Sequence, residues 1–250
     1  MYLALFQRHP SALLAELAGL CGYDVLILDA EHGVLGEVDC LQTLRTLSGS
    51  DTAVFMRLRG HDLAAVGRYL DLGVDGLLVP EVATAEQARD LVRAMHYPPA
   101  GTRGFGASAH RVTRYGLDTA AHLKAPRAGT SLLALIESPE GVTNVEDILN
   151  VDGVDGVIVG PSDLTAALGC VGKFSDPRYI EALTWVESAA RASGKLLGTT
   201  PHPDHPIEAL LARGHCFLIL GSDTALLHEA MSAQLTQVRS VAQGLRRETP

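Results

Sequence analysis

The sequence predicts an α/β fold, a single (β/α)8 TIM barrel spanning residues 1–250, on three observations. Short apolar runs alternate with amphipathic stretches along the whole chain, the pattern of a parallel sheet. Eight such units can be counted, the number that closes a barrel, and 250 residues is a usual length for one. Three of the runs end in acidic residues, at Asp29-Ala-Glu31-His32-Gly33, Ile136-Glu137-Ser138 and Gly160-Pro161-Ser162-Asp163, and in barrels the chemistry collects where strands reach their carboxyl ends. The rival, an open doubly wound sheet, would carry a glycine-rich phosphate turn after its first strand, where Arg8-His9-Pro10 stands instead.

The first strand is read at Tyr2–Phe6, followed by Val25–Leu28, Ala53–Arg57 and Gly76–Val79, each a short apolar run before a helical candidate. Between the third and fourth, Leu63, Val66 and Leu70 recur at helical spacing, and Leu-Gly-Val-Asp-Gly at 72–76 supplies a glycine stop and a turn. From Tyr97 to about His110 the residues are turn formers without helical period; a connection this long is usually functional or mobile, which makes it a candidate cover for the site. Leu132–Ile136, Gly156–Val159, Lys195–Gly198 and Phe217–Leu220 complete the strands. A long amphipathic helix, Thr224–Arg246, ends the chain, its stripe of Leu226, Leu227, Met231, Leu235 and Val238 closing the barrel or docking on a neighbour. Because strand one begins almost at once, no segment is left to plug the barrel floor: either the start is unusual or a partner covers it.

With 47% hydrophobic residues the chain can bury a sizeable core. Its net charge of -9 without a basic run argues against a nucleic-acid surface or an anionic membrane as partner, so the expected partner is a small molecule. Cys21, Cys40, Cys170 and Cys216 form no CxxC pair, which fits reduced thiols rather than a zinc ribbon. Neither a secretory leader nor an 18-residue apolar stretch is seen, and the cytoplasm is the expected location.

Glu137 and Asp163 end neighbouring strands and can converge above the barrel, where two carboxylates suit one hard cation, Mg²⁺ or Mn²⁺ rather than zinc. The plain alternative is that both only cap helices, since Glu-Ser-Pro-Glu and Pro-Ser-Asp-Leu are good helix starts. His32 has the residue type and position of a general base, with Asp29, Glu31 or Asp71 as its orienting carboxylate, although a structural histidine is the bland reading. Arg57 ends an apolar strand, where an unpaired guanidinium is costly, so it should face an anion such as a carboxylate or enolate oxygen; Arg59 is its surface twin. Gly160, Pro161, Ser162 and Asp163 open a helix whose first N–H groups can take a carboxylate or phosphate. Lys124, Lys173 and Lys195 all miss the carboxyl ends of strands, which disfavours Schiff-base chemistry and points to a Lewis acid. His202 and His205 would pair on a metal only if the prolines between and around them let the two rings align, and ordinary loop chemistry is preferred.

In the order and spacing of Leu-Asp29-Ala-Glu31-His32-Gly, Met-Arg57, Leu-Asp71-Leu-Gly, Leu-Leu-Val-Pro80, Tyr-Pro-Pro-Ala-Gly-Thr-Arg103-Gly-Phe-Gly, Ile-Glu137-Ser, Gly160-Pro-Ser-Asp163-Leu and Gly221-Ser-Asp-Thr, the chain resembles the class II pyruvate aldolases typified by 4-hydroxy-2-oxoheptanedioate aldolase. The resemblance runs through nearly its whole length. It implies a divalent cation (Mg²⁺ or Mn²⁺, with Co²⁺ a further option) on Glu137 and Asp163, acid/base work at His32, and Asp71 raising its basicity. It also implies that Arg57 stabilises the enolate formed from a chelated 2-oxoacid and that Ser162 meets the pyruvate carboxylate. The substrates implied are a 4-hydroxy-2-oxoacid split to pyruvate or hydroxypyruvate and an aldehyde, with no nucleotide cofactor. The implied assembly is a homohexamer, a trimer of dimers that exchanges its last helix between neighbours. Leu135 stands where that family commonly has a substrate-touching Gln, which implies a different acceptor preference or affinity. The start is also short by about one helix. A malyl- or citramalyl-CoA lyase on the same barrel is the alternative enzyme, for which no basic nucleotide cradle stands out, and a catalytically silent metabolite-binding barrel is the alternative outside enzymes.

Overall fold

In the computed structural model, which describes residues 1–124 and 129–247, eight parallel strands pair in sequence order and β8 closes on β1. The strands are β1 (Tyr2–Gln7), β2 (Val25–Asp29), β3 (Ala53–Arg57), β4 (Gly76–Val79), β5 (Ser131–Ile136), β6 (Gly156–Val159), β7 (Leu196–Thr199) and β8 (Phe217–Ser222). Around them run α1 (Ala12–Cys21), α2 (Glu37–Thr46), α3 (Leu63–Leu72), α4 (Ala85–Met95), α5 (Thr119–Lys124), α6 (Pro139–Thr143), α7 (Val145–Leu149), α8 (Pro161–Ala167), α9 (Pro177–Ser193), α10 (Ile207–Ala212) and α11 (Asp223–Arg247). Each expected strand is present. β7 starts one residue later than its apolar run suggested: the Lys195 N–H donates to Ser193 Oγ instead of a neighbouring strand, and its ammonium donates to the carbonyls of Leu149 and Val151.

The two-residue alternation of a strand sorts its side chains into two cores. Ala4, Phe6, Val25, Ile27, Phe55, Leu78, Leu133, Leu135, Ile158, Phe217 and Ile219 fill the barrel, while the intervening positions, such as Leu26, Leu28, Val54, Met56, Leu77 and Val157, pack under the helices. At the amino-terminal end, Phe217 lies tilted against both Phe55 and Tyr2 at 6.0 Å, and the three rings line a cavity at the barrel floor. The same end is tied by a repeated device: Asp24, Asp75 and Asp155 stand just before β2, β4 and β6 and accept from the N–H groups of Leu3, Val54 and Leu132 on the preceding strands. Each carboxylate satisfies a strand-start donor that the ladder leaves open and fixes the register of its neighbour.

Helix ends follow local chemistry. Ser11, Asp62, Thr84, Ser138 and Asp176 cap α1, α3, α4, α6 and α9 through their side-chain oxygens, and Gly22, Gly73 and Gly194 terminate α1, α3 and α9 in the left-handed region. The long connection after α4 packs on α3. Arg103, 4% exposed, donates from Nη2 to Asp71 Oδ1 at 2.7 Å and stacks 4.7 Å over the Tyr97 ring, while its stem rests beside Gly67. Among the described residues, no helix is long and apolar enough to cross a membrane.

Candidate active site

The functional layer is the interior alternation carried one step past the apolar core. Two residues beyond Phe6, Ile27, Phe55, Leu135 and Ile158 come Arg8, Asp29, Arg57, Glu137 and Gly160, all therefore aimed at the carboxyl-terminal mouth of the barrel. Leu135, the residue expected to alter substrate contact, is the last apolar side chain below Glu137 and is 3% exposed, so it seals the core rather than offering a polar group.

Asp29 organises one side. Its side chain is fully buried; Oδ1 accepts from Arg57 Nε at 2.9 Å and from the N–H groups of Glu31 and His32, and Oδ2 accepts from Arg57 Nη2 at 2.5 Å and Arg8 Nε at 3.2 Å. Burial raises its carboxyl, but the Arg57 hydrogen bonds and charge, the His32 N–H and Arg8 outweigh burial and hold it below the usual carboxylate range. Arg57 is thus paired as its apolar strand required, also lying 3.1 Å from Glu31 Oε2 through Nη1 and 4.5 Å over the Phe6 ring. Backbone crowding forces the turn that follows: a Cβ on Gly33 would sit 2.3 Å from the Asp29 carbonyl oxygen and 2.7 Å from that of Arg8. Only glycine lets His32-Gly33 fold so closely over the two strand ends.

Glu137 organises the other side. It is 7% exposed, Oε1 accepts from the N–H of Glu81 at 2.8 Å, and Oε2 faces Gly160, where a Cβ would come within 2.8 Å of it. Glu81 takes a left-handed φ of 56° to present that N–H, an uncommon conformation for a residue with a side chain. Burial pushes the Glu137 carboxyl up to about 7; the Glu81 hydrogen bond opposes this, the negative charges of Glu31 and Asp163 add to it, and Arg57 opposes it. Glu31 is raised as well, by burial first, with Asp29 and Asp163 adding and Arg57 and His32 opposing. Asp163, exposed in the first turn of α8, therefore shares one field with Glu137 and Glu31. Pro161 begins that helix, and Ser162 beside it is exposed.

This donor set fits a hard dication. Arg57 and Arg8 are both engaged by Asp29, so the buried Glu137 has no cation of its own, and burial first, then the charges of Glu31 and Asp163, raise its carboxyl. Among the described residues no cluster of three or more His, Cys, Asp or Glu side chains converges as ligands, so Glu137 and Asp163 would leave most coordination positions to water and substrate, as Mg²⁺ and Mn²⁺ prefer. The raised carboxyl also has a stability consequence in metal-free protein. With a folded value near 7 and an ordinary unfolded value of 4.5, the native state holds a proton the unfolded state has lost, so this contribution is complete below pH 4.5, falls as pH rises, and is gone above pH 7. The stability of the wild type relative to Glu137→Gln should drop by about 3 kcal/mol between those limits. Denaturant midpoints in chelator at pH 5 and pH 8 read this difference; a constant offset would contradict it.

The remaining expected residues fall in different places. The His32 ring is half exposed at the mouth, with Nε2 4.0 Å from Glu31 Oε2, beyond hydrogen-bond reach. Asp71 does not orient it within the chain: it lies on α3, and its Oδ1 takes Nε and Nη2 of Arg103 and lies 3.2 Å from His110 Nδ1. A helix position facing the 97–110 connection cannot also sit behind a side chain at the end of β2 on the barrel's inner layer. Arg59 donates to the Ala30 carbonyl at 2.8 Å and so braces the Asp29–Gly33 turn. His202 and His205 are occupied locally, His202 Nδ1 accepting from the Asp204 N–H and His205 contacting the Phe174 carbonyl and Arg213. Two contributors were missed in the sequence: Arg8, which the strand alternation beyond Phe6 would have found, and the Glu81 N–H, for which no side-chain signal exists.

The chain is 34% identical over 240 residues to the 2-keto-3-deoxy-L-rhamnonate aldolase of Salmonella gallinarum, covering 96% of this chain and 89% of that protein. It is 38% identical over 215 residues to the 5-keto-4-deoxy-D-glucarate aldolase of Klebsiella pneumoniae subsp. pneumoniae, covering 86% and 83%. The crystal structure of an HpcH/HpaI aldolase/citrate lyase family protein from Burkholderia cenocepacia superposes with a TM-score of 0.90 at 27% identity, over 95% of this chain and 94% of that one. The HpcH/HpaI aldolase of Desulfitobacterium hafniense gives 0.87 at 28% identity, over 95% and 92%. The family model for HpcH/HpaI aldolase/citrate lyase matches residues 3–230, from the first strand into the last helix and across every residue of the site, and the chain belongs to that family.

Proposed function

We propose that the protein is a divalent-metal-dependent class II aldolase that reversibly cleaves a 4-hydroxy-2-oxoacid to pyruvate, or a related 2-oxoacid such as hydroxypyruvate, and an aldehyde. The observation that carries this reading is a buried Glu137 at the end of β5 that feels the charges of Glu31, Asp163 and Arg57 at the mouth, in a chain whose named relatives are aldolases. Glu137 and Asp163 would hold the cation, which supplies Lewis-acid polarisation of the 2-oxoacid carbonyl when bound. At the start of α8, where Gly160 and Pro161 set the turn, the backbone N–H groups of Ser162 and Asp163 would receive the 2-oxoacid carboxylate. Arg57, oriented by Asp29, stabilises negative charge as it develops on the carbonyl oxygen, which favours the transition state over the ground state. His32 takes the methyl proton of pyruvate and delivers it to the aldehyde oxygen as the carbon–carbon bond forms; cleavage reverses both transfers. With Asp71 bound to Arg103 and Glu31 4.0 Å from the His32 ring, Asp71 would act on the His32 of another copy through its Oδ2.

Metal-dependent exchange of pyruvate methyl protons with deuterated water, followed by NMR, tests the reading without knowledge of the acceptor. Exchange with Mg²⁺, Mn²⁺ or Co²⁺ that stops in chelator is expected, and no exchange with any of them would overturn it.

A homo-oligomer, a hexamer by resemblance, is part of the same proposal. Leu226, Leu227, Met231, Leu235, Val238 and Val241 of α11 are 41–62% exposed, too continuous an apolar stripe to stay in water, and Val142, Leu168, Ala182 and Trp185 line an apolar groove elsewhere on the chain that a second copy's helix would fill. Leu235→Glu should shift the protein to a smaller species in sedimentation; an unchanged mass would contradict this role for α11.

A further inference from the structure

Among the charged groups of the mouth, one has donors left over. Arg57 spends Nε and Nη2 on Asp29 and faces Glu31 with Nη1, and Arg59 is turned to the Ala30 carbonyl. Arg8 spends only Nε, on Asp29 Oδ2, and among the described residues its two Nη groups have no hydrogen-bond partner, with the side chain 35% exposed. Its placement is built rather than incidental. Its N–H donates to the buried Asp223 at 3.0 Å, its carbonyl accepts from the Val34 N–H at 3.0 Å, and the Gly33 backbone packs against it. With Nε pinned to Asp29, the open edge of the fork is turned from the carboxylate that fixes it.

We infer that Arg8 is the acceptor-specificity residue, binding a carboxylate carried by the aldehyde substrate at the end remote from its carbonyl. The inference rests on the proposed aldolase reading and names the substrate class for that site. Arg8 directly follows β1, two strands round from Arg57 on β3, and both donate to Asp29 Oδ2, so a group on Arg8 would lie beside one held at Arg57. A guanidinium edge with two parallel N–H groups matches a planar carboxylate, and the local charges leave it free to do so: Arg8 and Arg57 balance Asp29 and Glu31. Leu135 offers no polar contact that would select a hydroxylated neutral acceptor instead.

The test compares kcat/KM for two four-carbon acceptors, 4-oxobutanoate and butanal, with pyruvate as donor. Wild type should favour 4-oxobutanoate, and the ratio of the two constants should fall roughly 10- to 100-fold in Arg8→Met, with Arg8→Lys between, since a charged hydrogen-bond pair is lost for one acceptor only. A disturbance of Asp29 and Arg57 would lower both constants together and leave the ratio alone. A ratio in Arg8→Met within about threefold of wild type would overturn the assignment, as would a wild type that prefers butanal should that variant fail to fold. Pyruvate proton exchange in the wild type separates the two failures: exchange with a flat ratio removes Arg8 alone, whereas absent exchange removes the aldolase reading beneath it.

Discussion

Glu137→Gln should lower metal-dependent aldol cleavage by at least about 10³-fold while the barrel stays folded, because it removes a charged ligand whose Lewis acid is worth several kcal/mol of charge stabilisation. The amide keeps an oxygen to accept the Glu81 N–H and fits the space beside Gly160, so the local packing survives. It also removes a carboxyl that burial pushes up to about 7, and the metal-free variant should resist denaturant better than the wild type at pH 8. Activity and stability thus move in opposite directions, as expected where a functional charge is held against the preference of its surroundings. Steady-state kinetics at saturating Mn²⁺ with a denaturation curve in chelator check both parts. Turnover retained without added metal would contradict the first.

His32→Ala should cut turnover by about 10²–10⁴-fold, the usual contribution of a positioned general acid or base. Its ring is half exposed and its N–H bond to Asp29 belongs to the backbone, so truncation leaves the Asp29–Arg57 arrangement standing. Binding of Mn²⁺ should be retained while pyruvate proton exchange collapses, which separates loss of proton transfer from loss of the metal site. An unchanged exchange rate would remove His32 from the mechanism.

The barrel was legible because its two signals are local. Apolar runs with turns between them mark strands, and amphipathic stretches such as Leu63, Val66 and Leu70 with a glycine stop mark the helices between. Glu137 and Asp163 were legible for a related reason, since strand order alone makes the ends of β5 and β6 neighbours. Asp71 shows where such reasoning stops. It sits on a helix, and which partner it takes depended on how the 97–110 connection folds back; Gly67 and Asp71, one helical turn apart, form the face that receives Arg103, a pairing no periodicity encodes. Arg8 was hidden by its context. Read as part of an Arg-His-Pro turn it looked like loop chemistry, whereas β1 runs on to Gln7 and the alternation places Arg8 in the same inner layer as Asp29 and Arg57. Glu81 contributes only a backbone N–H in an unusual conformation, which residue type does not announce.

The central claim is that Glu137 and Asp163 together hold one hard dication. Mn²⁺ titration followed by electron paramagnetic resonance, on the wild type, Glu137→Gln and Asp163→Asn, tests it most directly. One tight ion per chain is expected in the wild type, with that site lost in each variant alone; wild-type affinity retained in either variant would rule out a shared ion.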